Sequence, residues 1–226
     1  MRNPDASTLP AHEHLRVLPL DVTNPPSIAA AVSDSGPVDV LVNNAGIGWL
    51  NAIEGTPLDT ARDIFDADVF GTIAMMQAVL PAMRERRSGA IVNVGSSSTL
   101  KPLPLLSVYR ASKAAINALT ESAALELAEF GISAKVVLPG MAPSTSFATA
   151  ALAKITAGGH FPAAYADFAS RTMAAMQEAG AGEVTTAQDV AEVVFRAATD
   201  PNCPPIAPAG ADAIAWTEES ALLRPI

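Results

Sequence analysis

Cysteine is nearly missing from this 226-residue sequence: Cys203 stands alone. That excludes an internal disulfide and any metal site built from cysteines, and it points to a reducing compartment. Positive charge is scarce as well. Only 14 Lys and Arg stand against 23 Asp and Glu, for a net charge of -9. Nucleic acid and anionic membrane surfaces both call for clustered cations, so neither is an expected partner. No uninterrupted apolar run reaches the ~18 residues of a membrane helix. The opening MRNPDASTLPAHEH holds no apolar stretch of the signal-peptide kind, so a cytoplasmic protein is expected. What is abundant is apolar material: 50% of residues are hydrophobic and 16% charged. That suffices for the core of one α/β domain spanning 1–226.

The apolar runs alternate with helical patterns. Leu15–Leu20 predicts a buried strand ending at Asp21. Thr23-Asn24-Pro25-Pro26 supplies a cap and first-turn prolines for a short helix through Ile28–Val32. Val38–Val42 predicts a second strand, stopped by Asn43-Asn44-Ala45-Gly46. From Leu58 to Arg87, apolar residues such as Ile64, Val69, Ile73, Met76 and Val79 recur at helical spacing, with Pro81 expected to bend the helix. Strands are predicted at Ala90–Val94 and Ser133–Leu138, on either side of a helix over Val108–Phe130 that Gly131 ends. Residues 141–182 predict a loop with one or two helices. A helix over Thr186–Thr199 and a short strand at Ile206–Ala209 come before a tail. This order specifies a Rossmann-like doubly wound parallel sheet. Ligands of such sheets bind beyond the carboxyl ends of the strands. The residues to inspect are therefore Asp21, Asn43–Gly46, Ser96 and Pro139-Gly140.

Tyr109 and Lys113 stand four apart near the start of the long helix, a spacing that places both side chains on one face. An ammonium ~4–6 Å from a phenol favours the phenolate and lowers its pKa. A tyrosine so tuned can exchange a proton near neutral pH, as general acid–base chemistry at a carbonyl requires. Ser96 follows a strand and lies thirteen residues ahead of Tyr109. Its hydroxyl is suited to hold the oxygen that Tyr109 protonates, or it belongs to an ordinary serine-rich turn with Ser97 and Ser98.

Four stretches now stand in order: NNAG at Asn43–Gly46, IVNVGSS at Ile91–Ser97, YRASKAA at Tyr109–Ala115 and LPG at Leu138–Gly140. In motif and spacing, residues 15 to 145 resemble the short-chain dehydrogenase/reductase family, and Gly210–Ala213 resembles its final strand region. The resemblance implies an NAD(P)-dependent oxidoreductase that transfers hydride between a nicotinamide and a small or medium carbonyl or alcohol. It implies Tyr109 as acid/base, Ser96 holding the substrate oxygen, and Lys113 binding the nicotinamide ribose while tuning Tyr109. Asp21 and Val22 would meet the adenine, Asn43, Asn44, Ala45 and Gly46 would line the cofactor, and Pro139 and Gly140 would touch its nicotinamide end. Arg2 resembles the family's residue for the 2′-phosphate, which favours NADP(H) over NAD(H). Residues 141–182, with Phe147, Phe161, Tyr165 and Phe168, would cover an apolar substrate. The two long helices resemble those that pair in homodimers and homotetramers.

The pattern departs in two places. Asp68 stands where the family has an Asn, adding a negative charge able to pair with Lys113 and to alter its hold on Tyr109. Nothing before Leu15 resembles the glycine-rich strand–turn–helix that binds the pyrophosphate, so an N-terminally truncated domain is expected. Either the natural chain starts earlier, or it is a fragment acting through protein contacts with little catalysis. His12 and His14 form H-x-H without a third ligand nearby, so no metal is expected. His160 is read as a loop residue within reach of substrate or solvent, Met75 and Met76 as core, and Cys203 as a bystander.

Overall fold

The computed structural model describes residues 12–145, 149–151, 161–180, 182 and 184–223, the side chains of 221–223 excepted. Arg2, Phe147 and His160 lie outside the described residues. Asn24 caps α1 (Pro25–Ser35), its Oδ1 accepting from the Ser27 amide at 3.3 Å, with the two prolines in the first turn as the sequence predicts. Strand β1 (Val40–Asn43) follows, then α2 (Leu58–Phe65) and α3 (Gly71–Arg86). A π turn, Asp66–Phe70, separates those two helices. The sequence predicts one uninterrupted helix here, because apolar periodicity does not register a single wider turn. Strand β2 (Gly89–Val94), α4 (Ser107–Ala128) and β3 (Ile132–Pro139) come next. Gly131, in the turn between α4 and β3 and past the Glu129 cap, has φ 68, and a Cβ there would meet the Arg87 carbonyl at 2.6 Å. Then follow α5 (Ala166–Ala179), α6 (Ala187–Thr199), β4 (Ile206–Ala209) and α7 (Ala211–Leu223). Thr186 and Asp189 form a reciprocal capping box on α6. The predicted tail after β4 is in fact α7, and Ala211–Ala213, read with Gly210 as resembling the final strand region, form its first turn.

The four strands are all parallel, in the order β1-β2-β3-β4. Side chains alternate between two layers. Leu41, Ile91 and Ala134 face α1, α3 and α4, meeting Ile28, Met75, Val79 and Met83. Val92, Val137, Ala207 and Ala209 face α6, meeting Ala197 and Val193. This Rossmann-like sheet with helices on both faces is the architecture the sequence predicts. The predicted strand at Leu15–Leu20 is not formed: these residues have no regular structure, and Leu15 is 47% exposed. A strand needs a ladder, and among the described residues no strand pairs with the outer edge of β1. Val40 and Val42 share the face of Val92 in register, yet α6 does not reach them, and each is 41% exposed.

The helical stretch Leu58–Arg86 is long and apolar enough, by length and composition, to cross a membrane. No apolar run in it is uninterrupted over that length, but an 18-residue window within it carries at most two charged residues. Here Met75, Met76, Val79 and Met83 lie against the protein's own sheet.

Candidate active site

The strands' carboxyl ends and the N-terminal half of α4 converge on one cluster of polar groups. Lys113 is 4% exposed, and its Nζ donates to the carbonyl of Val94, the last residue of β2, at 3.1 Å. The same Nζ lies 3.8 Å from Asp68 Oδ2. Asp68, 1% exposed, is carried inward by the π turn, a feature frequent at functional sites. Its Oδ1 accepts from the Ile47 amide at 2.7 Å and its Oδ2 from the Ser112 hydroxyl at 3.0 Å. Its backbone carbonyl accepts from the Thr72 hydroxyl at 2.7 Å. A Cβ on Gly46 would stand 3.2 Å from Asp68 Oδ1 and 3.3 Å from Lys113 Nζ, so the glycine lets the backbone pass close to both groups.

Tyr109 lies one turn ahead of Lys113, whose Nζ is 5.9 Å from the phenol ring's centroid. The Ser96 hydroxyl lies close enough to the Tyr109 phenol to favour its ionised form. Ser96 caps the short 3-10 turn Ser97–Thr99, its Oγ accepting from the Ser98 amide at 3.2 Å. Two α4 side chains brace that turn. Arg110 donates to the carbonyls of Ser98 and Thr99, and Asn117 donates to the Thr99 hydroxyl. The fold thus brings together Ser96, Tyr109, Lys113 and Asp68, which the sequence scatters over 46 positions (113 − 68 + 1).

The electrostatics depart from the expectation for Tyr109. Its pKa is pushed up from the ordinary phenol value, chiefly by burial, and the Asp68 charge pushes the same way against the Ser96 hydroxyl. Burial likewise raises the Asp68 carboxyl and lowers the Lys113 ammonium, each charge being partly restored by the other. The ammonium expected to favour the phenolate is matched by a carboxylate at 3.8 Å, whose charge opposes it at Tyr109.

The remaining predicted residues are more dispersed. Asn43 Nδ2 donates to Asn93 Oδ1 at 2.8 Å, and Asn93 Nδ2 to the Thr120 hydroxyl at 2.8 Å, a buried chain linking β1, β2 and α4. Asn44 and Ala45 lead from β1 to Gly46. Asp21 Oδ1 accepts from the Thr23 amide and hydroxyl, the local turn ahead of α1, and Val22 rests on Gly71 at the start of α3. Pro139 ends β3, and the Gly140 amide is held by Thr185 Oγ1 and the Ala209 carbonyl, each at 3.1 Å. Leu105, 7% exposed, takes φ 63, a strained value for a bulky residue, and its carbonyl accepts from the Asn51 amide at 2.9 Å. Leu105 joins Ala52, Ala169, Leu50, Phe161 and Tyr165 in an apolar cluster under α5. Ser112, Thr185 and Asp212 are not among the site residues the sequence predicts; Thr185 offers itself there only as an alternative to Thr186 as the helix cap, which Thr186 provides. The strand-end rule, applied to β4, would have found Asp212.

The groups present suit the ribose and nicotinamide end of a dinucleotide: a buried lysine with free donor capacity beside a glycine at a strand's carboxyl end. Among the described residues no glycine-rich turn opens a helix for a pyrophosphate.

Comparison with known proteins settles the family. The family model described as short chain dehydrogenase matches residues 5–155. The chain belongs to the short-chain dehydrogenase family. An uncharacterised oxidoreductase of Bacillus subtilis is 34% identical over 190 residues, 83% of this chain and 67% of that protein. Retinol dehydrogenase 8 of Bos taurus is 41% identical over 56% of this chain and 41% of its own length. An inactive 2-(S)-hydroxypropyl-CoM dehydrogenase 2 of Xanthobacter autotrophicus is 41% identical over 55% of this chain and 56% of its own. The chain therefore spans from less than half to about two thirds of these three relatives. Among solved structures, a short-chain dehydrogenase of Streptomyces avermitilis superposes with a TM-score of 0.74 at 32% identity, covering 90% of this chain and 73% of that one. One from Burkholderia cenocepacia in complex with NADP has a TM-score of 0.69 at 25% identity, over 90% of this chain and 75% of the other. A 3-ketoacyl-(acyl-carrier-protein) reductase of Brucella melitensis complexed with NADH has a TM-score of 0.57 at 29% identity, over 59% and 58%. Short-chain dehydrogenases are thus this chain's relatives in sequence and in fold, and both nicotinamide cofactors occur among their structures.

Proposed function

We propose that this chain is an NAD(P)-dependent oxidoreductase moving a hydride between a nicotinamide and the carbon of a small or medium apolar carbonyl or alcohol. The observation that carries the reading is the Ser96 hydroxyl close beside the buried Tyr109 phenol, with Lys113 one helical turn behind it. When bound, the nicotinamide supplies or accepts the hydride. Tyr109 gives or takes the proton at its phenol oxygen, and Ser96 Oγ holds the substrate oxygen beside it. Lys113 offers donors to a ribose from a position fixed by Val94 and Asp68. Burial keeps the Tyr109 phenol protonated, so it carries the proton that carbonyl reduction consumes but releases it less readily than a phenol tuned toward neutrality. The apolar cluster around Leu105 and Phe161 supports an apolar substrate.

NADP(H) is proposed over NAD(H), on the place of Arg2 in the sequence. A homodimer or homotetramer is proposed because the two long helical stretches present Leu58, Phe70 and Leu125 at 65%, 59% and 79% exposure. A cytoplasmic location is proposed from the lone cysteine and the acidic composition. The test is Tyr109→Phe assayed against a panel of carbonyls and alcohols. Its turnover should fall by roughly 10²–10⁴, the worth of a lost general acid, and near-normal activity would sink the mechanism.

A second reading has its own support. Asp68 occupies Lys113 and, together with burial, holds Tyr109 protonated, and one 41%-identical relative is named as inactive. On this reading the chain is a catalytically silent member acting through protein contacts. Light scattering alongside the activity screen separates the two: a defined oligomer without activity on any substrate favours the second.

A further inference from the structure

Strands β3 and β4 end side by side, with Pro139 opposite Ala209. Three backbone stretches meet there: Pro139–Met141 leaving β3, Thr185 just ahead of α6, and Gly210–Asp212 opening α7. One carboxylate joins all three. Asp212 Oδ2 accepts from the Met141 amide at 2.6 Å, and Oδ1 from the Thr185 hydroxyl at 2.6 Å. Thr185 Oγ1 in turn accepts from the Gly140 amide at 3.1 Å and lies 2.9 Å from the Ala209 carbonyl. Its single proton serves one of the two oxygens at a time.

The surroundings are shaped to these groups. A Cβ on Gly140 would run into the Asp212 carboxylate, and one on Gly210, which has φ 94, into the Thr185 side chain. Thr185 is 1% exposed. An acidic residue in a helix's first turn is ordinary, since the helix dipole favours it there. This one reaches instead to an amide 71 positions away, at another strand's exit. That exit borders the site: Val137, two residues before Pro139, is the register partner of Val94, whose carbonyl holds Lys113.

We propose that Asp212, acting with Thr185, is a positioning residue that sets the Pro139–Met141 turn as a wall of the crevice where the nicotinamide end of the cofactor lies. This rests on the oxidoreductase function proposed above. Asp212 touches neither cofactor nor substrate; it orients the backbone that does. The Met141 amide is committed to Asp212 and the Gly140 amide is shared between Thr185 and the Ala209 carbonyl, so the clasp also decides which backbone groups of the turn remain to face a ligand.

The test pairs amide hydrogen exchange with NADPH and NADH titrations on the full chain and on Asp212→Ala, Thr185→Val and Thr185→Ser. Asp212→Ala should lose protection at Met141, and Thr185→Val should weaken it at Gly140, which keeps the Ala209 carbonyl, while the sheet amides of Val136 and Val137 stay protected. Cofactor Kd should rise at least about tenfold in both, the loss of one charge-assisted or buried hydrogen bond, and stay within about twofold in Thr185→Ser. If Asp212→Ala does not fold, the Thr185 pair carries the comparison. Retained protection in both disruptive variants overturns the clasp. Lost protection with unchanged Kd overturns the positioning role. Failure of the unaltered chain to bind either cofactor overturns the proposed function and the cofactor half of this proposal with it, while the exchange data still decide whether the clasp exists.

Discussion

Replacing Lys113 by Met leaves the Asp68 carboxylate buried, held only by the Ile47 amide and the Ser112 hydroxyl. The pair it breaks is 3.8 Å apart, with side chains 5% and 0% exposed, so screening by water is slight. At that separation and an effective dielectric of about 20, the attraction is about 4 kcal/mol. Breaking one side of a buried pair costs about 3–5 kcal/mol, and that is the expected loss for Lys113→Met near neutral pH. Asp68→Asn, which leaves the ammonium with the Val94 carbonyl, should cost a comparable amount. The double variant should lose less than the sum of the two by roughly 1–3 kcal/mol, because no charge is left stranded.

The two single variants should also respond to pH in opposite ways. Asp68 is raised above 3.8 in the folded state. Over the window from 3.8 up to that raised value the folded chain keeps a proton that the unfolded chain gives up, so stability falls as pH rises. The deficit of Lys113→Met therefore shrinks in acid and grows toward neutrality. Lys113 is lowered below 10.5, so over its window the unfolded chain binds the proton more tightly and stability climbs with pH. The deficit of Asp68→Asn is therefore greatest in acid and fades toward alkaline pH. Urea midpoints at a series of pH values, with slopes checked for constancy, measure all of this. Additive losses, or deficits moving in the same direction with pH, would refute the coupled pair as the organising element of the site.

Three further outcomes are expected. Gly71→Ala places a Cβ 2.8 Å from Val22 Cγ2 and 3.2 Å from its carbonyl; overpacking of about 1–3 kcal/mol should outweigh the better helix propensity, and pairing it with Val22→Ala should recover most of the loss in urea titrations. Thr186→Ala removes the capping box of α6 and should cost about 1 kcal/mol, read as a Tm lower by about 2–4 °C in a calorimeter. NADPH or NADH at a hundredfold over Kd should add about 2.7 kcal/mol, raising Tm by roughly 5–10 °C, and a folded chain without any saturable shift would count against a formed cofactor site.

Much of the fold was legible because buried parallel strands are continuous apolar runs. Strand β4 begins and ends where Ile206–Ala209 predicts, and the Asn24-Pro25-Pro26 cap announces α1. Leu15–Leu20 has the same composition but forms no strand, because apolar content says what can be buried while a ladder partner decides whether a strand forms. The helix α7 was hidden for another reason. Its apolar residues are spread around the helix rather than gathered on one face, so no helical periodicity marks it.

The site divides in the same way. Tyr109 and Lys113 were readable together because a spacing of four on a helix fixes their common face before any tertiary contact forms. Ser96 and Asp68 were readable as candidates from their places in motifs. Residue types and local spacing thus determined the family, the alternating architecture and the identity of the reactive side chains. Only the tertiary structure decided what those side chains experience. The π turn aims Asp68 at Lys113, burial then reverses the expected shift of the Tyr109 phenol, and Asp212 reaches from the far end of the chain to the β3 exit. Local sequence sets which groups exist and which way they can point. Desolvation and long-range pairing, which set proton affinity, depend on neighbours that only folding assembles.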